Sequence, residues 1–342
     1  MKKVANIPLL IMLGITGVIT GLFSLVLGRY PVSLADLWHM VTPFQGAHAD
    51  ISPQLRTVVA EIRLPRIIAA FLVGGTLSIT GAAYQGMFRN PMVSPSLLGV
   101  SAGAGFGAAL GILLGLSPLI QQGMSFVFGV GAVAAVYAIS LFTGVKHDKC
   151  LTLILAGMIV ATLFTALISI LKYVADPDNT LPSIVYWLMG GLAATGMTDL
   201  RYIGVFALVG LAVLTLSGWK IDMLSFGDEE AKTMGIRVDR FRLLVIVIAT
   251  LMTASAVSIS GIIGWVGLII PHITRMITGP RNTELLPASF LIGGTFLLVI
   301  DGFSRSVAAV EIPLGITTSL IGAPFFIFIM MKTSKKHHHD TT

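Results

Sequence analysis

The sequence predicts an all-α polytopic membrane protein with about ten transmembrane helices. Two observations carry that reading. Of the 342 residues, 55% are hydrophobic and only 11% are charged, and mean hydropathy is +0.91, whereas soluble domains carry about 25% charged residues. Water-soluble packing has no way to hide so much apolar surface. The charges are also segregated: residues 90–145 contain none, whereas residues 219–242 contain ten. The formal net charge of +6 is therefore read as a topological signal and not as a nucleic-acid footprint. A lone cysteine, Cys150, excludes an internal disulfide framework and a multi-cysteine metal site.

Taken in order, with about 20 apolar residues per crossing, the first span is expected over 7–27. Its basic start resembles a signal peptide, but its apolar stretch is too long for a signal core and lacks a small-x-small cleavage site, so it is read as retained. A polar segment with Asp36, His39, His48, Asp50 and Arg56 leads to Glu61–Arg66. The second span is expected over 67–87, ending at Arg89, Asn90 and Pro91. Two crossings broken near Leu116–Pro118 follow, and Lys146–Lys149 close that hairpin. A fifth span covers 151–171. Leu181–Thr198 is apolar but glycine-rich, with a re-entrant path as an alternative to a crossing. The remaining spans are expected over 201–218, 243–260, 262–278, 285–303 and 314–331, with Pro271 kinking or ending its helix.

An even number of spans puts both termini on one side. With that side cytoplasmic, Lys2, Lys3, Arg89, Lys146, Lys149, the 219–242 stretch, Arg275, Arg281 and Lys332–Lys336 lie inside, following the positive-inside rule. Segments 28–66, 172–200 and 301–312 lie outside, and Arg63, Arg66, Arg201 and Arg305 are the exceptions to the bias.

The 219–242 stretch organises the chain. Its signs are mixed, so it is not a polybasic lipid-binding tail. Asp228–Met234 reads as a short helix with acids in its first turn, Ser225 or Gly227 as cap and Gly235 as stop. Two turns of helix are marginal alone in water, and Leu224, Ala231 and Met234 offer a small apolar face to hold them. A charged helix tethered between spans suits docking to a soluble partner, and an ordinary solvated loop is the plain alternative. Elsewhere Gly99, Gly103, Gly107, Gly111 and Gly115 recur every four residues. That spacing lets helix backbones approach closely, which is preferred here over the lining of a substrate path.

Absences narrow the function. The expected span interiors hold essentially no ionisable residue, which argues against a proton- or ion-coupled carrier. No Gly-Lys dipeptide occurs, so the chain has no phosphate-cradling loop, and no nucleophile–base pair or spaced ligand cluster appears. Catalytic and metal-binding residues are therefore expected to be absent, with His337–His339 read as a tail remnant or tag. Uphill transport would need energy from another subunit, and the charged stretch is the natural place to receive it.

Four segments together resemble the permease subunits of type II ATP-binding-cassette importers for iron chelates, haem and cobalamin, the FecCD type. They are IRLPR (62–66) with GGTLSITGAAYQGMFRNPMVSPSLLGVSAGAG (74–105); LAG (155–157) with YWLMGG (186–191); LSFGDEEAKTMG (224–235); and GIIGWVGLIIPHITRMITGP (261–280) with LPAS (286–289), EIPLGI (311–316) and IGAPF (321–325). The match runs through nearly the whole chain in order. The resemblance implies one permease domain over 1–342 with ten spans and a cytoplasmic coupling element at 219–242. It implies a second permease subunit, most commonly an identical copy, on a dimer of cytosolic ATPases that bind ATP and Mg. This chain would bind no cofactor. A periplasmic or lipid-anchored binding protein would deliver the substrate to the cytoplasmic (inner) membrane of a bacterium or archaeon.

The resemblance also assigns residues. Gly227, Asp228, Glu229, Glu230, Ala231 and Gly235 match the element that docks on the ATPase. Arg63, Arg66 and Arg305 match positions that face outside and meet acids of the binding protein; snorkelling at the interface is their alternative. Asn90, Pro91 and Met92, with the Lys149-Cys150-Leu151 turn, match the cytoplasmic gate. The gate departs from some relatives, whose turn is small and hydroxylated, in having Lys149 and Cys150. The implied cargo is a ferric siderophore, with haem and cobalamin as alternatives. A secondary transporter and a non-transport membrane component are the rivals.

Overall fold

A computed structural model describes residues 7–28, 30–41, 52–142, 149–307 and 310–339, and every regular element among them is helical. Lys2, Lys3, His48, Asp50 and Lys146–Asp148 lie outside the described residues, as do the side chains of Lys332, Lys335, Lys336 and His337–His339.

The chain runs α1 (Ile7–Val26), α2 (Leu34–Val41), α3 (Pro53–Arg56), a π-helical turn (Thr57–Arg63) and α4 (Leu64–Met87). A 3-10 turn (Pro95–Leu98) precedes α5 (Val100–Leu113), α6 (Pro118–Phe142), α7 (Lys149–Val174), α8 (Thr180–Met189) and α9 (Met197–Leu216). Then come α10 (Gly218–Leu224), α11 (Asp228–Thr233), α12 (Val238–Ser260), α13 (Val266–Thr278), α14 (Asn282–Ser306) and α15 (Leu314–His339).

Among the described residues, seven helices are long and apolar enough to cross a membrane, counting α3 through α4 as one. Of the ten expected crossings, α5, α13 and the apolar part of α15 are shorter. At α13 the cause is visible. The 261–265 segment is not helical, with Gly261 at φ +65° and Trp265 at φ +69°, so the chain spends part of its apolar run turning. Before α9 begins at Met197, the glycine-rich 181–198 stretch forms α8, about 15 Å long, or half of a hydrocarbon core. Where it unwinds, Gly190 and Leu192 are buried and the backbone is bonded within the protein, as irregular backbone at membrane depth requires. Gly191 N–H donates to Ser260 O (2.8 Å) and Gly190 O accepts from Leu314 N–H (2.9 Å).

α4 is the core helix, buried along almost its whole length. Small residues make that possible. A Cβ on Gly74 would run into the carbonyl of Gly293 in α14, and one on Gly81 into the carbonyl of Gly267 in α13. Pro271 lies inside α13 without ending it. It lacks the N–H that would bond the carbonyl four residues earlier, and that carbonyl is the one lying against Gly81. The 99–115 glycines pack likewise: Gly103 and Gly107 face the backbone of α6 at Phe128 and Met124, while Gly99 and Gly115 turn the chain at positive φ. By contrast α1 turns Ile11, Ile15, Val18, Leu22 and Phe23 outward, an apolar face suited to lipid.

The polar 28–66 segment holds more structure than expected. At the start of α2 the Ser33 N–H and hydroxyl donate to Asp36 Oδ2 at 2.8 and 2.7 Å, and Asp36 N–H donates back to Ser33 Oγ. This reciprocal cap holds the Asp36 carboxyl below its ordinary range.

Candidate functional site

The charged stretch folds into two short helices where the sequence indicated one. α10 continues from α9 after Ser217 alone, and Lys220 Nζ lies 5.5 and 5.7 Å from the ring centroids of Trp219 and Phe241. Asp222 Oδ1 accepts from both Asn282 N–H and Asn282 Nδ2 at 2.8 Å, which ties α10 to the N-terminus of α14, where a carboxylate is favoured.

α11 begins after Gly227, whose φ of +138° suits glycine, and the Glu230 carboxylate folds over the space a Cβ there would take. Gly235, at φ +81°, ends the turn as expected. The apolar face differs from the expected one. Leu224 and Ala231 are buried, Met234 is exposed, and Ile236 fills its place, with its N–H on Ala231 O at 3.1 Å.

The acids divide in role. Glu229 and Glu230 are exposed, and Lys232 Nζ pairs with Glu229 at 2.6 Å, a hydrogen bond that raises the ammonium above its usual pKa. Asp228 instead turns inward. Both its oxygens accept from Arg242 Nη2 at 3.0 Å, and Arg242 is buried with Nε and Nη1 otherwise unpartnered. That single tie fastens α11 to α12, across 14 residues of chain, and no local pattern announces it.

The gate residues fall on two elements. Asn90–Met92 form a tight turn at the end of α4, with Arg89 at φ +54° and Met92 N–H on Asn90 Oδ1 at 2.9 Å. The turn leads into Pro95–Leu98, whose backbone lies against Gly157 of α7. Lys149, Cys150 and Leu151 are not a turn but the first turn of α7, and Lys149 Nζ pairs with Asp239 of α12 at 2.8 Å.

At the opposite end of α4 the three singled-out arginines lie buried. Arg63 Nη1 donates to the carbonyls of Leu25 (2.5 Å) and Val26, and Nη2 to Tyr30 O (2.6 Å). Arg66 joins two acids, with Nη2 2.9 Å from Asp301 Oδ1 and Nη1 2.9 Å from Glu311 Oε2. Arg305 Nε lies 3.0 Å from Asp301 Oδ2, and its Nη2 donates to Ser24 Oγ at 2.7 Å. Asp301 is 0% exposed. The expectation of charge-free span interiors is thus corrected: Asp301 sits inside α14, tolerated because two guanidinium groups hold it. Glu311, 32% exposed, is the member nearest solvent.

A family model described as the FecCD transport family matches residues 15–332. The chain belongs to that family, whose members are membrane permeases of ATP-binding-cassette importers. Among its relatives, the molybdate import system permease protein MolB of Haemophilus influenzae is 40% identical over 322 residues, 93% of this chain and 94% of the relative. The cobalamin import system permease protein BtuC of Halobacterium salinarum is 42% identical over 276 residues, 80% of this chain and 73% of the relative. A solved structure described as an inward-facing conformation of a metal-chelate type ABC transporter superposes with a TM-score of 0.85 at 40% identity, covering 95% of this chain and 99% of that one. Such a permease works with an ATPase and a substrate-binding partner. The family thus agrees with the expected helical permease fold.

Proposed function

We propose that this chain is the translocating subunit of an importer for a metal chelate, of ferric-siderophore type, working by alternating access. The observation that carries the reading is α11. It is a two-turn acidic helix fastened to α12 by the Asp228–Arg242 ion pair, with Glu229 and Glu230 exposed, in a chain of an importer-permease family. In this reading α10 and α11 face the cytoplasm and receive the motion of an ATPase dimer, and two copies of the chain frame the path. The positive-inside bias supports that orientation. Hydrolysis belongs to the ATPase, since the sequence has no phosphate-cradling loop.

In this reading the coupling residues divide by role. Glu229 and Glu230 serve as contacts, Ala231 and Gly235 as geometry, and Asp228 as the residue that positions the helix. The outer arginines dock the binding protein through acids that reach Arg66 and Arg305 in competition with Glu311.

A second cargo, a metal oxyanion, is favoured by the 40% identity to the molybdate permease. The test is reconstitution with the cognate ATPase and binding protein and an uptake panel of ferric siderophore, haem, cobalamin and molybdate. ATP-dependent uptake of the siderophore alone supports the first reading, and uptake of molybdate alone replaces it. A Glu229→Lys/Glu230→Lys variant that still forms an equimolar, ATPase-stimulating complex would overturn the coupling role of α11.

A further inference from the structure

Beside α11 lies a cavity of about 600 Å³ between the end of α4, α10 and the α13–α14 connection. Three arginines line it: Arg89, Arg275 and Arg281. Among the described residues none of the three takes part in an ion pair with an acid of this chain. Arg275 is held by a neutral partner, its Nη2 donating to Gln85 Oε1 at 3.2 Å. The only acid in the lining, Asp222, already spends Oδ1 on Asn282. Asn282 is 4% exposed, and its own Oδ1, in the same wall, has no hydrogen-bond partner. The site therefore presents surplus positive charge.

We infer that this cavity receives an acidic side chain from the cytosolic ATPase. The carboxylate would lie among the guanidinium groups, which suit planar, bidentate recognition. The occupant is chosen by continuity. Phe226, 68% exposed, stands in the cavity rim and on the link between α10 and α11, so whatever covers α11 also covers the cavity mouth. The two patches differ in sign: α11 shows Glu229 and Glu230, and the cavity shows arginines. A partner must match both signs at once, which fixes one orientation, since like charges facing each other are strongly disfavoured. The inference rests on the reading of α11 as the ATPase dock, but it can fail separately from it.

The test uses the full permease in nanodiscs with its cognate ATPase. Arg89→Glu/Arg281→Glu alters two exposed side chains, and unchanged thermal stability of the permease alone checks folding. Affinity for the ATPase should fall about tenfold or more. An acid-to-lysine scan of the ATPase surface should find one position that restores binding to this variant while weakening binding to the unaltered permease. Unchanged affinity overturns the inference and leaves the α11 reading standing. A loss that no acid-to-lysine change restores, or one reproduced by adding phosphatidylglycerol or inorganic phosphate to the unaltered complex, also overturns it by making the ligand a phosphate.

Discussion

Asp301→Asn tests whether the buried charges at the Arg66 end are balanced as the geometry shows. The substitution keeps shape and removes charge, so no cavity contributes. It leaves Arg66 and Arg305, both buried, with Glu311 as their one remaining acid. Removing one partner of a buried ion pair costs about 3–5 kcal/mol, because the other charge remains desolvated. That corresponds to about two to three and a half decades in the unfolding equilibrium. Equilibrium unfolding in mixed micelles reads the loss directly. Glu311→Gln, at a partly exposed position, should cost less than about 1 kcal/mol. Asp301→Asn combined with Arg305→Met restores neutrality around Arg66 and should recover at least half of the loss. A cost below about 1 kcal/mol for Asp301→Asn would refute the reasoning, because the two guanidinium groups would then not depend on this acid.

Arg242→Met removes the tie to Asp228 together with two unpartnered buried donors, so global stability should stay within about 1 kcal/mol. Hydrogen exchange over 228–236 should rise and permease-stimulated ATP hydrolysis should fall; unchanged exchange would mean that α11 is held by its apolar face alone. Gly81→Ala places a Cβ against the Gly267 carbonyl and should cost about 1–3 kcal/mol. Gly123→Ala, in an α6 position with nothing within 4 Å, should be neutral or stabilising by about 0.5–1 kcal/mol; equal costs for the two would discard close backbone approach as the reason for the glycine. In a Cys150→Ser background, Lys149→Cys should react with a membrane-impermeant reagent from the cytoplasmic side, and labelling from outside would reverse the proposed orientation.

The long helices could be read in the sequence because a span is a local property: uninterrupted apolar residues suffice to indicate α6, α7 and α12. The packing of the 99–115 glycines was readable for the same reason. What escaped is what depends on distant partners. Asp301 finds Arg66 across 235 positions, and Asp222 finds Asn282 across 60; neither pair has a periodicity. α10 escaped because Gly218–Leu224 is too short for a pattern, and Met234 was misplaced because the last turn of α11 rotates it outward and brings Ile236 in. Asp301 fell within the expected 285–303 span, yet hydropathy does not show that two distant arginines let it stay buried there.

The buried state of Arg63, Arg66 and Arg305 gives the docking reading a distinctive sign. Surface docking cations would lose affinity for the binding protein on reversal, and so would these: Arg66→Glu should weaken docking. But Arg66 is already satisfied by Asp301 and Glu311, so an incoming acid must replace Glu311, the one partner that solvent reaches. Glu311→Gln removes that competitor and should therefore strengthen docking. The gain should be a fewfold at most, since a pair with a partly exposed member is worth about 1 kcal/mol or less. Opposite signs for the two variants, measured as binding-protein affinity in nanodiscs, would separate docking from a purely structural network. In a structural network both variants would loosen the bundle, and neither would tighten a partner. Weaker docking with Glu311→Gln would assign Glu311 itself to the contact and remove Arg66 from it.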